Sequence, residues 1–413
     1  MADAISLGVL TSSVPRDVVD AAVEVTGRQA RRGNGKAPPH VMVYFTMALA
    51  LFADDDYEEV AARLAGTLQW WGSGVDGWEP PTSGGLTQAR QRLGVEPLIT
   101  VFEQVAVPVA EPLTRGAFLA GWRLMAIDGF EWDAPDTPAN AEVFGYAAGS
   151  EGRSAFPKVR VVTISECGSH AMIDAAIGER GQAKAGSEQA LARLLYPRAE
   201  GDWLLIADRN FYNFTDWQAA QASGTQLLWR AKSNLRLPQL RRFGDGSYLS
   251  VLINSAIQGK KRRHQIHHAA SHGLPLDPSE ASVVRVVEYT VPDRAEADKP
   301  ELIRLITTLT DPADAPAQAL AQTYHERWEH ENANKQIKTH LRGPGRVLRS
   351  RLPDLVHQEI WAWLIVHHAI VALITKAAEA ADLDPDRISF TKTLRLARRT
   401  ATGTAGFSPC GLG

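Results

Sequence analysis

The feature that most constrains the fold is a regular alternation of strand-like and helix-like segments between residues 124 and 229. Strand-like apolar segments occupy residues 124–127, 159–164, 171–177, 203–207 and 226–229, and helical patterns occupy residues 188–195 and 214–222. The order of three strands, helix, strand, helix and strand is typical of a mixed α/β sheet. We therefore predict an α/β core in this part of the chain.

The segments on either side predict further parts of the molecule. Residues 15–112 have helical patterns, and they include a short basic helix that ends at Gly94. Residues 232–312 carry turns at 244–246 and 274–275 and strand-like runs at 283–289 and 302–308, which indicate a β-rich insertion. Helical patterns return at residues 316–341 and 355–380. We predict a helical N-terminal domain (1–115), a core (116–231 and 313–385), the insertion (232–312) and a C-terminal tail (386–413).

Composition excludes several classes of protein. The longest apolar segment, residues 41–52, is shorter than the roughly 18 residues that cross a bilayer, so we expect no membrane segment. No secretory signal is evident, and the two cysteines, Cys167 and Cys410, cannot form a disulfide framework, which favours the cytoplasm.

The basic residues are clustered, although the net charge of the 413-residue chain is −3. Clusters at residues 28–36, 230–242, 260–263, 342–351 and 392–399 are either solvated surface or contacts for phosphates. Within the N-terminal region, Lys36, Arg90 and Arg92 are candidate DNA contacts.

Two of the predicted core strands lead into aspartates. Asp128 follows the strand at 124–127, and Asp208 follows the strand at 203–207. A carboxylate at the end of a buried strand is held rigidly at the edge of the sheet, and neighbouring strand ends can bring two carboxylates to one metal pair. Either aspartate alone is as often a turn residue, and Asp133 and Asp136 are nearby alternatives to Asp128.

A third carboxylate lies among cations in the helical segment 324–338. At about 100° per residue, Arg327, Glu331 and Lys338 fall within an arc of roughly 60° that also holds Tyr324. Lys335 falls near this arc at about 20° from Tyr324. A carboxylate among cations fits a site for metal and phosphate, whereas the alternative is a solvated helix face with ion pairs.

The three carboxylates together suit two-metal phosphoryl transfer. In such sites, carboxylates hold two ions about 3.5–4 Å apart, and the ions activate a nucleophile and stabilise the leaving oxygen. Hard oxygen ligands favour Mg²⁺, with Mn²⁺ as the alternative.

The spacing Y-x2-R-x3-E-x6-K from Tyr324 to Lys338 resembles the signature of insertion-sequence-four family transposases. The segment IDG at 127–129 and the segment DRNFY at 208–212 are similar to that family's first and second catalytic aspartate motifs. The N-terminal helical region is similar to the family's N-terminal domain, so the resemblance covers about residues 5–400.

This resemblance implies a DDE transposase with a ribonuclease-H-like mixed sheet, a β-rich insertion and a helical domain for recognition of DNA ends. Asp128, Asp208 and Glu331 would bind the two metal ions, and Tyr324, Arg327 and Lys338 would contact DNA phosphates. Lys335 and Arg209 are further candidate DNA contacts. The implied partners are double-stranded DNA with terminal inverted repeats, target DNA, and a second protomer in the synaptic complex.

Two other functions remain open on the sequence. One is a catalytically inactive DNA-binding protein derived from a transposase, and the intact carboxylates disfavour it. The other is a metal-dependent DNA nuclease without strand transfer, and the N-terminal helical region disfavours it because a simple nuclease needs no module for recognising DNA ends.

Overall fold

The structure is a computed structural model that describes residues 8–30, 37–68, 81–149, 152–178, 186–291, 301–343 and 345–400. Lys36, Cys410 and the tail beyond residue 400 lie outside these residues. In the part of the chain that the structure describes, six helices precede the sheet: α1 (Gly8–Ser13), α2 (Arg16–Val25), α3 (Pro39–Leu51), α4 (Tyr57–Leu68), α5 (Ser83–Leu93) and α6 (Glu96–Val105). The basic helix α5 ends as predicted, because Gly94 takes a φ of 73° that L-residues rarely adopt.

The first half of the sheet is interleaved with three helices. Its strands are β1 (Phe118–Leu119), β2 (Trp122–Asp133), β3 (Tyr146–Gly149), β4 (Gly152–Glu166), β5 (Met172–Gly178), β6 (Trp203–Ala207) and β7 (Gln226–Arg230). The helices are α7 (Pro138–Phe144), α8 (Glu188–Leu195) and α9 (Phe214–Gln221). The predicted order of strands and helices is confirmed.

Strand pairing gives the core its ribonuclease-H-like topology. Strand β4 runs antiparallel to both β2 and β5, whereas β6 runs parallel to β2 and β7 runs parallel to β6. The carboxyl ends of β2, β5, β6 and β7 therefore point the same way along the sheet. The predicted mixed α/β fold class is confirmed.

The insertion extends this sheet instead of forming a separate one. It contributes β8 (Arg241–Arg242), β9 (Tyr248–Ile253), β10 (Ala281–Val291) and β11 (Glu301–Thr307), and β11 pairs antiparallel with β7. The full order is β3-β4-β2-β6-β7-β11-β10-β9-β8, with β1 on β2 and β5 on β4. One helix in it, α10 (Lys260–Ser271), was not predicted, because Ile266 alone of its residues is buried and no apolar stripe marks it.

The C-terminal part is helical. It comprises α11 (Ala317–His325), α12 (Arg327–Lys335), a π-helical turn (Gln336–Leu341), α13 (Pro353–Ala380) and α14 (Phe390–Thr400). By length and composition α13 could cross a membrane, but 78% of its most apolar window is buried inside the protein. It packs against α3 and α6 and is therefore the central helix of the core.

The N-terminal helices and α13 share one hydrophobic cluster. That cluster includes Phe45 and Leu49 of α3, Phe102 of α6 and Ile365 of α13, together with Trp132 of the sheet. The predicted domain boundaries remain a prediction, but the core that stabilises the N-terminal helices is the core that stabilises α13.

Arg90 is a structural residue and not a DNA contact, which corrects one expectation from the sequence. Its side chain is fully buried, and it donates to Gln358 Oε1 at 3.2 Å and to the Leu355 carbonyl at 3.0 Å. It also donates to the hydroxyls of Tyr57 and Ser350. A guanidinium enclosed in this way cannot reach a phosphate, whereas Arg92 on the same helix is exposed.

Candidate active site

Asp128 and Asp208 lie side by side on neighbouring parallel strands. Ile127 of β2 pairs in register with Ala207 of β6, so each aspartate is the next residue after a paired position. Adjacent strands are about 4.8 Å apart, which brings the two carboxylates into each other's electrostatic field. Burial, followed by the charge of Asp208, raises the pKa of Asp128, while Gly129 N–H and Arg327 oppose the rise.

Asp128 stands inside a strand and not at its end, contrary to the prediction. Strand β2 continues to Asp133 because Phe130, Glu131, Trp132 and Asp133 still pair with β4. The sheet edge near Asp128 instead arises from the end of β6, which stops at Ala207. The apolar run at 124–127 is the first fully buried part of β2. Beyond it, the ion pair between Lys158 of β4 and Asp133 of β2 helps to hold the two strands together.

The third carboxylate comes from a helical segment that is interrupted twice, whereas a single helix was predicted. Helix α11 ends at His325, α12 begins at Arg327, and a π-helical turn follows from Gln336. Tyr324 therefore belongs to α11, Glu331 to α12 and Lys338 to the π-helical turn. A constant step of about 100° per residue does not describe such a segment.

A chain of contacts nevertheless joins these residues to the two aspartates. The Tyr324 hydroxyl donates to Asp208 Oδ1 at 3.4 Å. Arg327 Nη1 lies 3.8 Å from Asp128 Oδ2, and Arg327 Nη2 lies 3.2 Å from Glu331 Oε1. The guanidinium of Arg327 also lies over the ring of Tyr324, 5.9 Å from its centroid.

Arg327 has unused hydrogen-bonding capacity. Its side chain is 14% exposed, and its Nε is buried with no hydrogen-bond partner among the described residues. A buried donor without a partner is costly unless a ligand satisfies it. The position of Arg327 therefore suits an anionic group that enters beside the carboxylates.

Lys338 lies on the same side of the sheet as Asp128. Its Nζ is 5.9 Å from the centroid of the Phe130 ring, and Phe130 is two residues from Asp128 on the same face of β2. Burial, followed by the charges of Arg342 and Lys158, lowers the pKa of Lys338.

The other two candidate DNA contacts are placed differently. Arg209 is exposed in the turn directly after Asp208. Lys335 is exposed too, but it lines a separate cleft of about 380 Å³ with Ser169, His170 and His340. The structure brings Lys335 into that cleft and does not place it with the carboxylates.

The alternatives to Asp128 have other partners. Asp133 pairs with Lys158 Nζ, and Asp136 accepts a hydrogen bond from the Tyr146 hydroxyl at 2.6 Å. Both are therefore used in local structure.

Glu188, the first residue of α8, is a neighbour of the aspartates that the sequence reasoning missed. Burial and the charge of Asp128 are the main causes that raise its pKa. It lines a cleft of about 340 Å³ together with Gly129, Glu131, Arg160 and Asn210. The topology could have indicated it. Strand β5 runs in the same direction as β2 and β6, so the chain leaves β5 at the sheet edge where the aspartates lie, and α8 begins near that edge.

The side chains provide the oxygen donors that a hard divalent cation requires, but Glu331 is engaged elsewhere. Among the described residues, no group of three or more His, Cys, Asp or Glu side chains is close enough to hold a metal ion. Glu331 pairs instead with the guanidinium of Arg327. The donor set fits Mg²⁺ or Mn²⁺ at Asp128 and Asp208.

Comparisons with known proteins show the family of the chain. The family model described as insertion element 4 transposase N-terminal matches residues 4–103, and the model described as transposase DDE domain matches residues 121–368. The transposase InsG for insertion sequence element IS4, from Escherichia coli (strain K12), is 26% identical over 377 residues, which cover 91% of this chain and 78% of that protein.

A solved structure of the piggyBac transposase synaptic complex with hairpin DNA is also similar. The alignment covers 95% of this chain and 77% of that chain, at 10% identity and a TM-score of 0.47. The family models identify the family, because the second of them alone spans more than half of the chain. The chain therefore belongs to the DDE transposase family, with the N-terminal region of insertion element 4 transposases, and is a metal-dependent enzyme of DNA phosphoryl transfer.

Proposed function

We propose that this transposase excises and inserts an insertion sequence by a cut-and-paste route, with Asp128, Asp208 and Glu331 as its catalytic carboxylates. The single observation that carries the proposal is the register of β2 and β6, which sets Asp128 beside Asp208 within reach of Arg327 and Tyr324. Glu331 joins the same network through Arg327.

The proposed cofactor is a pair of divalent ions, Mg²⁺ or Mn²⁺, held by these three carboxylates. When bound, the ions would lower the pKa of the attacking hydroxyl and stabilise the leaving oxygen. For Glu331 to join Asp128, the guanidinium of Arg327 must release it, and a DNA phosphate is the natural alternative partner for that guanidinium. Arg327 would thus couple the arrival of DNA to the assembly of the carboxylates.

The remaining residues of the network hold the substrate and orient the carboxylates. The Tyr324 hydroxyl keeps Asp208 Oδ1 in place and lies where a phosphate oxygen would approach. Lys338, over Phe130, and Arg209, exposed directly after Asp208, supply further cations near the aspartates. Lys335 lies in another cleft, so we propose only a peripheral DNA contact for it.

The proposed partners are double-stranded DNA with terminal inverted repeats and target DNA, in a synaptic complex of two protomers. We expect the protein to act on the nucleoid in the bacterial cytoplasm. An inactive, transposase-derived DNA-binding protein is not favoured, because the carboxylates and the adjoining cations are all present. A nuclease without strand transfer is not favoured either, because the N-terminal transposase region is present.

The test uses linear DNA that carries the inverted repeats flanking the gene, with Mg²⁺. The variants Asp128→Asn, Asp208→Asn and Glu331→Gln should each lower the cleavage rate by about two to three orders of magnitude or more. Removal of Mg²⁺ with EDTA should stop cleavage by the parent protein, and added Mn²⁺ should restore it.

Asp136→Asn is the matched control, since this exposed aspartate lies eight residues from Asp128 and contacts only Tyr146 in the hydrogen bonds described above. It should cleave at the parent rate. Retention of parent-level cleavage by any of the three carboxylate variants would remove that residue from the proposed site. Cleavage without joining to a target would favour the nuclease alternative.

A further inference from the structure

The start of α8 holds a fourth carboxylate against the strand that carries Asp128. An ideal Cβ built on Gly129 would lie 2.5 Å from Oε1 of Glu188 and 3.2 Å from its Cδ. The carboxyl group therefore occupies the space that a side chain at position 129 would fill. Glycine at 129 is what allows Glu188 to approach the backbone directly beside Asp128.

Hydrogen bonds hold the residues on either side of Glu188. Gln189 Nε2 donates to the carbonyl of Asn210 at 2.9 Å, which ties the start of α8 to the turn after Asp208. Arg160 Nη1 donates to the carbonyl of Gly186 at 3.4 Å, which ties the preceding residues to β4. The start of α8 is thus tied to the turn after Asp208 and to β4, the strand that pairs with β2 at Asp128.

The charges around Glu188 are predominantly negative. After burial, the carboxylates of Asp128, Asp208 and Glu131 raise its pKa, and Arg160 lowers it. Arg160 is itself paired with Glu131, at 2.7 Å, so its charge is already partly compensated. Like charges gathered in a half-buried cleft are unfavourable without a cation, and a divalent ion beside them would relieve the repulsion.

We propose that Glu188 is an outer carboxylate of the metal centre, accepting hydrogen bonds from the water shell of the divalent ion held by Asp128 and Asp208. The inference rests on the proposed function and adds a residue to its site. Mg²⁺ usually keeps several waters when it binds to a protein, and outer carboxylates orient such shells.

The experiment measures Mn²⁺ binding to the full chain without DNA, from the EPR signal of the free ion. Glu188→Gln should weaken Mn²⁺ binding by about 10–100-fold, the usual effect of removing an outer-shell partner. Asp128→Asn, the positive control, should abolish it. Glu200→Gln, an exposed glutamate just beyond α8, should leave it unchanged.

A second pair of variants tests the geometry. Gly129→Ala should also weaken Mn²⁺ binding, because its Cβ displaces the Glu188 carboxylate. The double variant Gly129→Ala, Glu188→Gln should bind no more weakly than the weaker single variant, since both act on one contact.

The melting temperature of the metal-free protein separates this role from a structural one. Glu188→Gln removes a charge from negative surroundings, so it should melt at the same or a higher temperature than the parent. A lower melting temperature would indicate a structural role and would overturn the inference. Unchanged Mn²⁺ binding in Glu188→Gln, with loss in Asp128→Asn, overturns the inference alone, and unchanged binding in both also overturns the proposed metal ligands.

Discussion

At the scale of single residues, Arg327 is the cation that joins the proposed catalytic carboxylates. Its guanidinium lies between two carboxylates, 3.8 Å from Asp128 Oδ2 and 3.2 Å from Glu331 Oε1. Its positive charge therefore occupies the region in which the proposed metal ions would bind. The resting arrangement keeps the carboxylates compensated, which limits the repulsion that burial would otherwise intensify. DNA would then be needed to draw the guanidinium away.

Lys338 gives a prediction that depends on pH. Since burial lowers its pKa, Lys338 loses its proton at a lower pH than an ordinary lysine, and only its protonated form attracts a phosphate. The affinity of the parent protein for DNA should therefore begin to fall, as the pH rises, at a lower pH than the titration of an ordinary lysine would give. Lys338→Arg should retain its affinity as the pH rises, because arginine stays charged.

Filter binding or fluorescence anisotropy at constant salt would measure this effect. Lys376→Arg, a change at an exposed lysine of α13, is the control and should follow the parent curve. Parallel pH curves for the parent and Lys338→Arg would exclude Lys338 from the phosphate contacts.

At the scale of elements, the π-helical turn determines how the catalytic helix is seated. Gln336, its first residue, bridges two histidines: its Nε2 lies 2.7 Å from His170 Nδ1, and its Oε1 lies 3.1 Å from His367 Nε2. His170 follows β4, and His367 belongs to α13. The turn is thus hydrogen-bonded both to the loop after β4 and to the central helix α13, and these bonds fix the position of α12 relative to the sheet.

We expect Gln336→Leu to lower the free energy of unfolding by about 1–3 kcal/mol, because it removes hydrogen bonds from two buried imidazoles. Urea unfolding followed by circular dichroism would measure the change. Lys335→Ala, at the exposed neighbouring position, should change it by less than about 0.5 kcal/mol. Equal stability of Gln336→Leu and the parent would show that the bridge contributes nothing to the seating of the helix.

The features of the fold and of the site that could be predicted from the sequence are those that depend on residues close to one another in the chain. Strands such as β6 and helices such as α8 were predicted at their observed bounds, because apolar periodicity is a local signal. The break at Glu326 and the π-helical turn were not predicted, since the apolar pattern does not mark them, and the turn contacts His170 and His367, which are distant in sequence. Glu188 was missed for the same reason, as a glutamate at a helix start ordinarily indicates only a favourable dipole interaction.

At the scale of the whole molecule, the N-terminal helices and the catalytic core are stabilised together. The hydrophobic cluster that contains Phe45 and Phe102 also contains Trp363 of α13 and Trp132 of β2. Arg90 adds a polar connection at the same interface, where it contacts Gln358 and Leu355. Any part of the N-terminal helices that recognises DNA ends is therefore packed against the same core that carries the carboxylates.

Arg90→Leu should destabilise the protein by about 3 kcal/mol or more, because several buried acceptors lose their donor at once. Its thermal unfolding should remain a single transition in the far-ultraviolet and tryptophan signals, both shifted to lower temperature. Arg92→Ala, two residues later and exposed, is the control and should melt with the parent. A separate early transition in Arg90→Leu would mean that the N-terminal helices unfold independently.

The contact between Arg90 and Gln358 also has a consequence for the history of such genes. The two residues are 268 positions apart, and each satisfies the other in a place that water does not reach. Recombination that exchanged only one end of the gene for a sequence without Gln358 would leave the buried guanidinium without one of its side-chain acceptors. We expect the two ends of the coding sequence to descend together as one lineage, while the strands β8 to β10, at the far side of the sheet, are free to vary in length.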